Sequence, residues 1–450
     1  MAFDQKSTDD HPVTQTFSSL ELLPRLIRAL EEQGFSEPTP VQAQAIPIAL
    51  SGKDMLVSAA TGTGKTVAFL LPVIQQLMAN KSPRQGSRCL ILAPTRELAK
   101  QLFKQCEKLV QYTYLKPGLF IGGEDFKFQA ALLRKDPEII IATPGRILEL
   151  ITKEAALVSH LEHLVLDEAD TMLELGFEED VAAIAGHCGD NYQTLMFSAT
   201  LDRKGVKHLA MQLLSEPETL IVDSHRKQRE NIKQEVILAD DLAHKKNLLA
   251  WLLENETFEK AIVFTNTKTQ TTALRGFLRG KKFRAACLNS DMSQEERSAV
   301  MANYRSHHTK VLVATDVASR GLDISSIDLV INFDMARNGD DYVHRIGRTG
   351  RVETAGHAIS FVMSNEWNLM VAIERYTRTR FIQRTVSAFI GKFKGPKKLK
   401  SSGKIASKTK RNKTTAKSKK TNKTARKNPA VNKPMDGFLP MKKKPSTKSK

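Results

Sequence analysis

Short apolar runs separated by stretches of helical character recur along most of this chain, in two series. The first series is MLVSA (55–59), CLILA (89–93), GLFI (118–121), EIIIA (138–142), HLVLD (163–167), TLMFS (194–198) and TLIV (219–222). Most of these are continuously apolar rather than alternating. Strands buried on both faces of a parallel sheet have that pattern, because helices cover both sides. After a polar break at 223–232 the second series follows: QEVILA (234–239), AIVFT (261–265), RAACL (284–288), KVLVAT (310–315), DLVINF (328–333) and HAISFV (357–362). Parallel strands need crossover connections, and the helical stretches between them supply these.

The sequence therefore predicts an α/β chain of two tandem, doubly wound parallel-sheet domains. Residues 1–16 read as a loose N-terminus, 17–222 as the first domain, 223–232 as a linker and 233–375 as the second domain. A C-terminal extension covers 376–395, within which RFIQRTVSAFIGKF (380–393) has the character of an amphipathic helix packed on the second domain. No residue-level repeat relates the two domains, so any duplication is architectural.

Charge separates the remainder. The 450 residues carry 68 Lys+Arg and 49 Asp+Glu, a net of +19. Residues 391–450 alone hold 22 basic side chains and one acid, Asp436, which leaves the rest of the chain at −2. The Lys-rich stretch 396–450 has almost nothing to bury and is expected to be disordered. Such a tail can tether RNA by counterion release, with a salt slope of about −0.7 per neutralised phosphate on single strands; its deletion would then flatten the salt dependence of RNA binding. A solubilising polycation or a nuclear-targeting run has the same composition. The island PMDGFLPM (434–441) is either a fluctuation of composition or a short docking peptide.

Other classes are excluded. Apolar residues make up 41% of the chain, enough for packed cores. No run approaches the roughly 18 apolar residues that span a bilayer, and the N-terminus lacks the basic and apolar regions of a secretory signal. Cys89, Cys106, Cys188 and Cys287 are far apart with no CxxC pair. A zinc site or a disulfide framework is not expected, and a reducing cytoplasm is the simplest compartment.

Three segments carry chemistry. Ala59-Ala60-Thr61-Gly62-Thr63-Gly64-Lys65-Thr66 lies between a strand and a helix. Glycines there let backbone N–H groups curl around phosphates, and the helix N-terminus adds positive potential. Lys65 would reach the β- and γ-phosphates of ATP, and the Thr66 hydroxyl would ligate Mg2+. Ala59 breaks the strict GxxxxGK[ST] pattern, and a plain Gly-rich turn is the alternative. HLVLDEAD (163–170) ends a buried strand in Asp167 and Glu168, which face the ligand crevice of a doubly wound sheet. Asp167 can hold Mg2+ and Glu168 can polarise the attacking water; an acidic turn capped by Asp170 is the alternative. HRIGRTGR (344–351) spaces Arg345, Arg348 and Arg351 three apart. Clustered arginines suit anions, and phosphoryl transfer needs cations at its transition state. A solvated basic helix end is the alternative.

Taken in order, these segments resemble the DEAD-box RNA helicases of superfamily 2, over about residues 17–375. GFSEPTPVQ (34–42) is similar to the family's Q motif, with Phe17 as its upstream aromatic. AATGTGKT (59–66) resembles motif I, which itself begins with Ala. PTRELA (94–99), Gly122-Gly123, TPGR (143–146), DEAD (167–170) and SAT (198–200) follow. In the second domain IVFTNT (262–267), Gln294 with Arg297, ATDVASRGLDI (314–324) and YVHRIGRTGR (342–351) complete the set. Val41 stands where Ile is commoner and Thr63 where Ser is common; neither removes a reactive group.

The resemblance implies two RecA-like domains and an RNA-stimulated ATPase that unwinds short duplexes locally. Gln42 would read the adenine edge, Phe17 would stack on its face, and Asp323 would contact the ribose. Arg348 and Arg351 would be arginine fingers. Ser198, Thr200 and His344, with Asp170, would couple hydrolysis to domain closure. RNA would be held by Arg96, Gly123, Thr143, Gly145 and Arg146, and across the cleft by Arg297, Thr315 and Gly321. The basic tail, DDLAHK (240–245) and the 332–351 run most resemble bacterial SrmB-type members, which implies a monomeric protein acting on ribosomal RNA in large-subunit assembly. A DNA helicase or translocase, and an RNA-clamping assembly factor with ATPase as a release timer, remain rivals.

Overall fold

Each series of apolar runs becomes one seven-stranded sheet in the computed structural model. The structure describes residues 16–59, 62–80, 86–153, 158–201, 203–222, 231–319, 327–350 and 356–396. The expected linker and the expected tail therefore lie almost entirely outside the described residues.

The first sheet contains β1 (Met55–Ser58), β2 (Cys89–Leu92), β3 (Pro117–Phe120), β4 (Ile139–Ala142), β5 (His163–Leu166), β6 (Gln193–Ser198) and β7 (Glu218–Ile221). The second contains β8 (Ile232–Leu238), β9 (Ala261–Phe264), β10 (Ala285–Leu288), β11 (Val311–Ala314), β12 (Leu329–Asn332), β13 (Gly356–Val362) and β14 (Ile382–Arg384). Every pairing is parallel. The strand orders are β3-β4-β2-β5-β6-β1-β7 and β10-β11-β9-β12-β13-β8-β14. Numbered from its own first strand, the second order repeats the first term for term, so the duplication that no residue repeat reveals is complete in topology.

Two-sided burial explains the unbroken apolar runs. In β4, Ile139 and Ile141 enter one core while Ile140 enters the other. In β12, Val330 faces one core and Leu329 and Ile331 the other. Each domain thus has two hydrophobic layers, one on each face of its sheet, covered by crossover helices. All four cysteines are free. Among the described residues no helix is long and apolar enough to cross a membrane.

The segment expected as a helix at 380–393 is instead the short strand β14 followed by a loop. It pairs with β8, placing Ile382 opposite Glu235. Phe381 and Val386 are buried on either side as anchors. Arg384 donates to Glu235 (3.1 Å) and to Glu256. Beyond it, Asp240 accepts backbone N–H groups from Lys392 (2.8 Å) and Phe393 (2.7 Å), which pins the loop to the domain. The apolar periodicity of 380–393 is thus satisfied by two anchors and an edge strand, not by a helical face.

Candidate active site and RNA interface

The C-terminal edge of each sheet divides into two halves. In the first domain the segments after β1, β5 and β6, which are adjacent in the sheet, carry the nucleotide motifs. The segments after β3, β4 and β2, also adjacent, carry the RNA motifs. The second domain repeats the division. Arg297 and Thr315 follow β10 and β11, while His344 and Arg348 follow β12.

The phosphate loop is hung on its neighbours by backbone and glycine geometry. Ala59 N–H donates to the Ser198 carbonyl at 3.1 Å. Gly62 and Gly64 have φ of 81° and 92°, a region that L side chains rarely adopt. At Gly64 a Cβ would lie 2.4 Å from Gln42 Nε2. That amide donates to the Gly64 carbonyl at 3.1 Å, and its Oε1 accepts the Thr39 N–H at 2.9 Å. Gln42 therefore ties the helix Pro40–Leu50 to the last glycine of the loop. Phe17 is 3% exposed and belongs to the first core, so little of the residue lies open for the adenine contact that the resemblance implies.

Lys65 opens the helix Lys65–Ala79, with Thr66 half-buried beside it. Lys65 is 6% exposed, and among the described residues its Nζ has no hydrogen-bond partner. A buried, unpaired ammonium is costly unless an anion meets it. Its neighbours are the carboxylates that end β5. Burial pushes the Asp167 carboxyl up, against the pull of the Lys65 charge. Glu168 sits in the left-handed region (φ 52°), and burial pushes its carboxyl up to about 7, opposed by Lys65 and Arg348. The Arg348 charge comes from the second domain. The orphaned lysine, the glycine loop and the flanking carboxylates fit a triphosphate.

A second chain of groups leads from this site to the other domain. Asp170 is buried and accepts from Thr200 Oγ1 at 3.2 Å. Ser198 Oγ donates to the Thr200 carbonyl (2.9 Å) and accepts the Thr200 N–H (3.2 Å), which closes the turn. On the second domain burial holds the His344 imidazole below its ordinary value, against the Asp170 charge. Its Nδ1 is buried without a hydrogen-bond partner. Arg345, between the two motif residues, faces inward. It grips Asp316 at 2.6 and 2.8 Å and is 1% exposed, so it braces its own domain. Arg345 thus meets a protein anion of its own domain.

The RNA half is equally interlocked. Arg96 begins the helix Arg96–Val110 and packs against Gly123, where φ is 82° and a Cβ would lie 2.4 Å from the guanidinium. Arg146 Nη1 donates to the Glu124 carbonyl and to Gln129 Oε1, both at 3.0 Å. Thr143 accepts the Gly122 N–H at 3.4 Å, and Gly145 lies beside Asp180. The Thr315 carbonyl accepts from Ser319 N at 3.1 Å. Arg297 donates to the Ala318 carbonyl (3.1 Å) and reaches across to Glu97 of the first domain, also at 3.1 Å. Gln294 donates to the same carboxylate at 3.3 Å. Glu97 lies inside PTRELA, yet nothing in the sequence says that it bridges two domains. Ala60, Thr61, Gly321, Asp323 and Arg351 lie outside the described residues.

Two parallel-sheet domains of one topology, with a glycine-rich loop and a buried lysine on the first and the Arg348 charge reaching Glu168 from the second, fit a two-domain nucleotide-driven motor. The DEAD/DEAH box helicase model matches residues 39–209, and the Helicase conserved C-terminal domain model matches 244–353. The chain is 39% identical over 398 residues to the ATP-dependent RNA helicase SrmB of Haemophilus influenzae, covering 88% of this chain and 90% of that protein. It is 40% identical over 382 residues to SrmB of Escherichia coli, covering 85% and 86%. Among solved structures it is similar to S. cerevisiae Dbp5 bound to RNA and ADP BeF3, with a TM-score of 0.74, 28% identity and coverage of 82% and 96%. It is also similar to Mss116p bound to ssRNA and AMP-PNP, with a TM-score of 0.75, 30% identity and coverage of 84% and 81%. The chain belongs to the DEAD-box ATP-dependent RNA helicases, and is an RNA-binding enzyme that hydrolyses ATP.

Proposed function

We propose that the protein couples ATP hydrolysis to local, non-processive remodelling of short RNA duplexes or RNA–protein assemblies. The observation that carries this reading is the buried, unpartnered Lys65 beside Asp167 and Glu168, with the Arg348 charge supplied by the other domain. In this reading Lys65 holds the phosphates and Glu168 takes the proton of the attacking water. Arg348, and with it Arg351, meets the charge that develops in transfer. Gln42 links the base end of the nucleotide to the phosphate loop, and Asp323 reaches the ribose. Thr66 and Asp167 would hold Mg2+, which supplies charge neutralisation at the phosphates. Among the described residues there is no cluster of three or more His, Cys, Asp or Glu that could hold a metal by itself. One carboxylate and one hydroxyl suit an ion that takes its other ligands from phosphates and water.

RNA and ATP then support one another, because each binds groups drawn from both domains, and the coupling is reciprocal in free energy. Arg96, Gly123, Thr143, Gly145 and Arg146 hold one part of the strand; Arg297, Thr315 and Gly321 hold the next. Closure bends that strand out of A-form geometry and expels its partner. Thr200, Asp170 and His344 pass the state of the nucleotide to the second domain. In this reading the protein is a cytoplasmic monomer that works on ribosomal RNA during large-subunit assembly, as the resemblance to SrmB-type members implies; the two bacterial relatives themselves are ATP-dependent RNA helicases.

The test is Glu168→Gln in the full chain. RNA-stimulated turnover should fall at least ~100-fold, the low end of what a positioned base contributes, while thermal unfolding stays unchanged. Normal turnover in the folded variant would remove Glu168 from the mechanism. Running the wild type with RNA and DNA oligomers of one sequence separates RNA remodelling from DNA translocation.

A further inference from the structure

We infer that Arg203 and Asp340 form a latch that holds the two domains closed and sets how much RNA is needed to switch on hydrolysis. This rests on the closure cycle proposed above and names residues that lie in none of its motifs.

Arg203 sits in the turn between β6 and the helix Lys204–Leu213, three residues beyond Thr200. Its Nε reaches Asp340 Oδ2 at 3.2 Å, across the domain boundary. Its Nη1 meets Glu174, the last residue of the helix Ala169–Glu174 in its own domain. Asp340 is the second residue of the helix Gly339–Ile346, which carries His344. Its other oxygen accepts the hydroxyl of Tyr376, from the helix Trp367–Thr377. Gly339 permits that contact: a Cβ there would lie 2.0 Å from a Tyr376 ring carbon.

Each member of the pair is thus braced from its own domain, Arg203 by Glu174 and Asp340 by Tyr376. Little side-chain freedom is left to lose when the domains meet, which is where an exposed ion pair ordinarily forfeits its gain. The pair is also shielded, with side-chain exposures of 25% and 17%. It lies beside the chain that couples the sites, and both charges are felt at the His344 imidazole, with Asp340 favouring its protonation and Arg203 opposing it. The Glu97–Arg297 contact also crosses the boundary, but it engages a residue assigned to RNA. Among the described residues, no hydrogen bond or ion pair joins Arg203 or Asp340 to a group assigned to nucleotide or RNA. The pair can therefore act on closure alone.

The experiment uses the full chain with a donor dye on one domain and an acceptor on the other. Energy transfer is followed as single-stranded RNA is added with ADP–beryllium fluoride, alongside RNA-stimulated ATPase and ADP affinity without RNA. Arg203→Ala and Asp340→Asn should each raise the RNA concentration for half-maximal closure and for half-maximal ATPase by about three- to tenfold, as expected for a braced, partly shielded pair. ADP affinity should not move, and Arg203→Lys should recover part of the loss. The double variant should be no worse than the worse single variant. Glu174→Gln, which weakens one brace but leaves the cross-domain pair in place, should lose less than Arg203→Ala. Additive losses, or a Glu174→Gln variant as impaired as Arg203→Ala, would overturn the latch and make Arg203 a brace within its own domain. If the wild type itself shows no RNA-dependent closure, the proposed cycle fails, and the latch with it.

Discussion

Two lysines stand at the same place in the two halves of this molecule, and they have opposite fates. Lys65 lies seven residues beyond the end of β1, and Lys245 lies seven beyond the end of β8, the strand with the same position in its sheet. Both are buried and both belong to the first turn of the following helix. Lys245 is completely enclosed and fully paired. Its Nζ donates to both oxygens of Glu366, at 3.1 and 2.8 Å, and lies over the Phe333 ring. Lys65 has no hydrogen-bond partner among the described residues. The turns before them differ accordingly. Gly62 and Gly64 open the first into a phosphate cradle. Asp241 caps the second by accepting the His244 N–H at 2.8 Å. The duplicated fold offers the same crevice twice, and the residues of one copy close it. A satisfied buried charge marks structure, and an orphaned one marks the place of a ligand.

The widest separation of the two copies comes from removing each lysine. Lys65→Ala should abolish RNA-stimulated hydrolysis, by on the order of 100- to 1,000-fold, with thermal stability little changed, because no hydrogen bond is lost and burial already favours protonation of Asp167 and Glu168. Lys245→Met should do the reverse. It leaves the half-buried Glu366 without its cation and should lower stability by about 3 kcal/mol, the low end for a broken buried pair, while turnover of the molecules that remain folded is little changed. Calorimetry and steady-state ATPase on both variants check the pair. A Lys65→Ala protein as destabilised as Lys245→Met would erase the distinction.

A smaller effect concerns β14, the strand that completes the second sheet. Glu235 on β8 is buried, which opposes its charge. Hydrogen bonds from Lys233, His357 and Arg384 outweigh burial and hold its carboxyl at about 2. A depressed carboxyl stabilises the fold above its unfolded value, about 4.3 for glutamate. That contribution is lost as pH falls from there toward about 2. Glu235→Gln should therefore lower the unfolding temperature at neutral pH, and the gap to wild type should narrow across that acid window. A gap that does not change with pH would mean that the network acts by shape and not by charge.

Strand β14 also shows where the sequence falls silent. Thirteen of the fourteen strands coincide with runs that read as strands, eight of them wholly and β3, β6, β7, β8 and β13 beginning one or two residues earlier, since burial on both faces writes a continuous apolar signal in most of them. Within β8, Ile232 and Lys233 precede the run that predicts it. β14 leaves no such signal, because its edge position exposes Ile382 and Gln383, and its hold comes from Arg384 and from anchors outside the strand. The segments proposed for nucleotide and RNA stand out in the sequence because glycines, paired acids and strand-end placement are local. The bridging of Glu97 to Arg297, and of Arg203 to Asp340, was not. Neither pair has a sequence spacing that means anything until two domains meet. The inward turn of Arg345 was hidden for the same reason, since its partner Asp316 is set by the crossover from β11.

The central claim is that hydrolysis is completed across the two copies, with the phosphate grip in one and the decisive cation in the other. The measurement that tests it most directly is the single-turnover rate of ATP hydrolysis at saturating RNA for Arg348→Ala, with ATP affinity measured separately. A cation that acts on transition-state charge alone should cost at least ~100-fold in rate and leave affinity within about threefold. An undiminished rate, or a loss confined to affinity, in this variant and in Arg348→Ala combined with Arg351→Ala would place the whole of hydrolysis in the first domain.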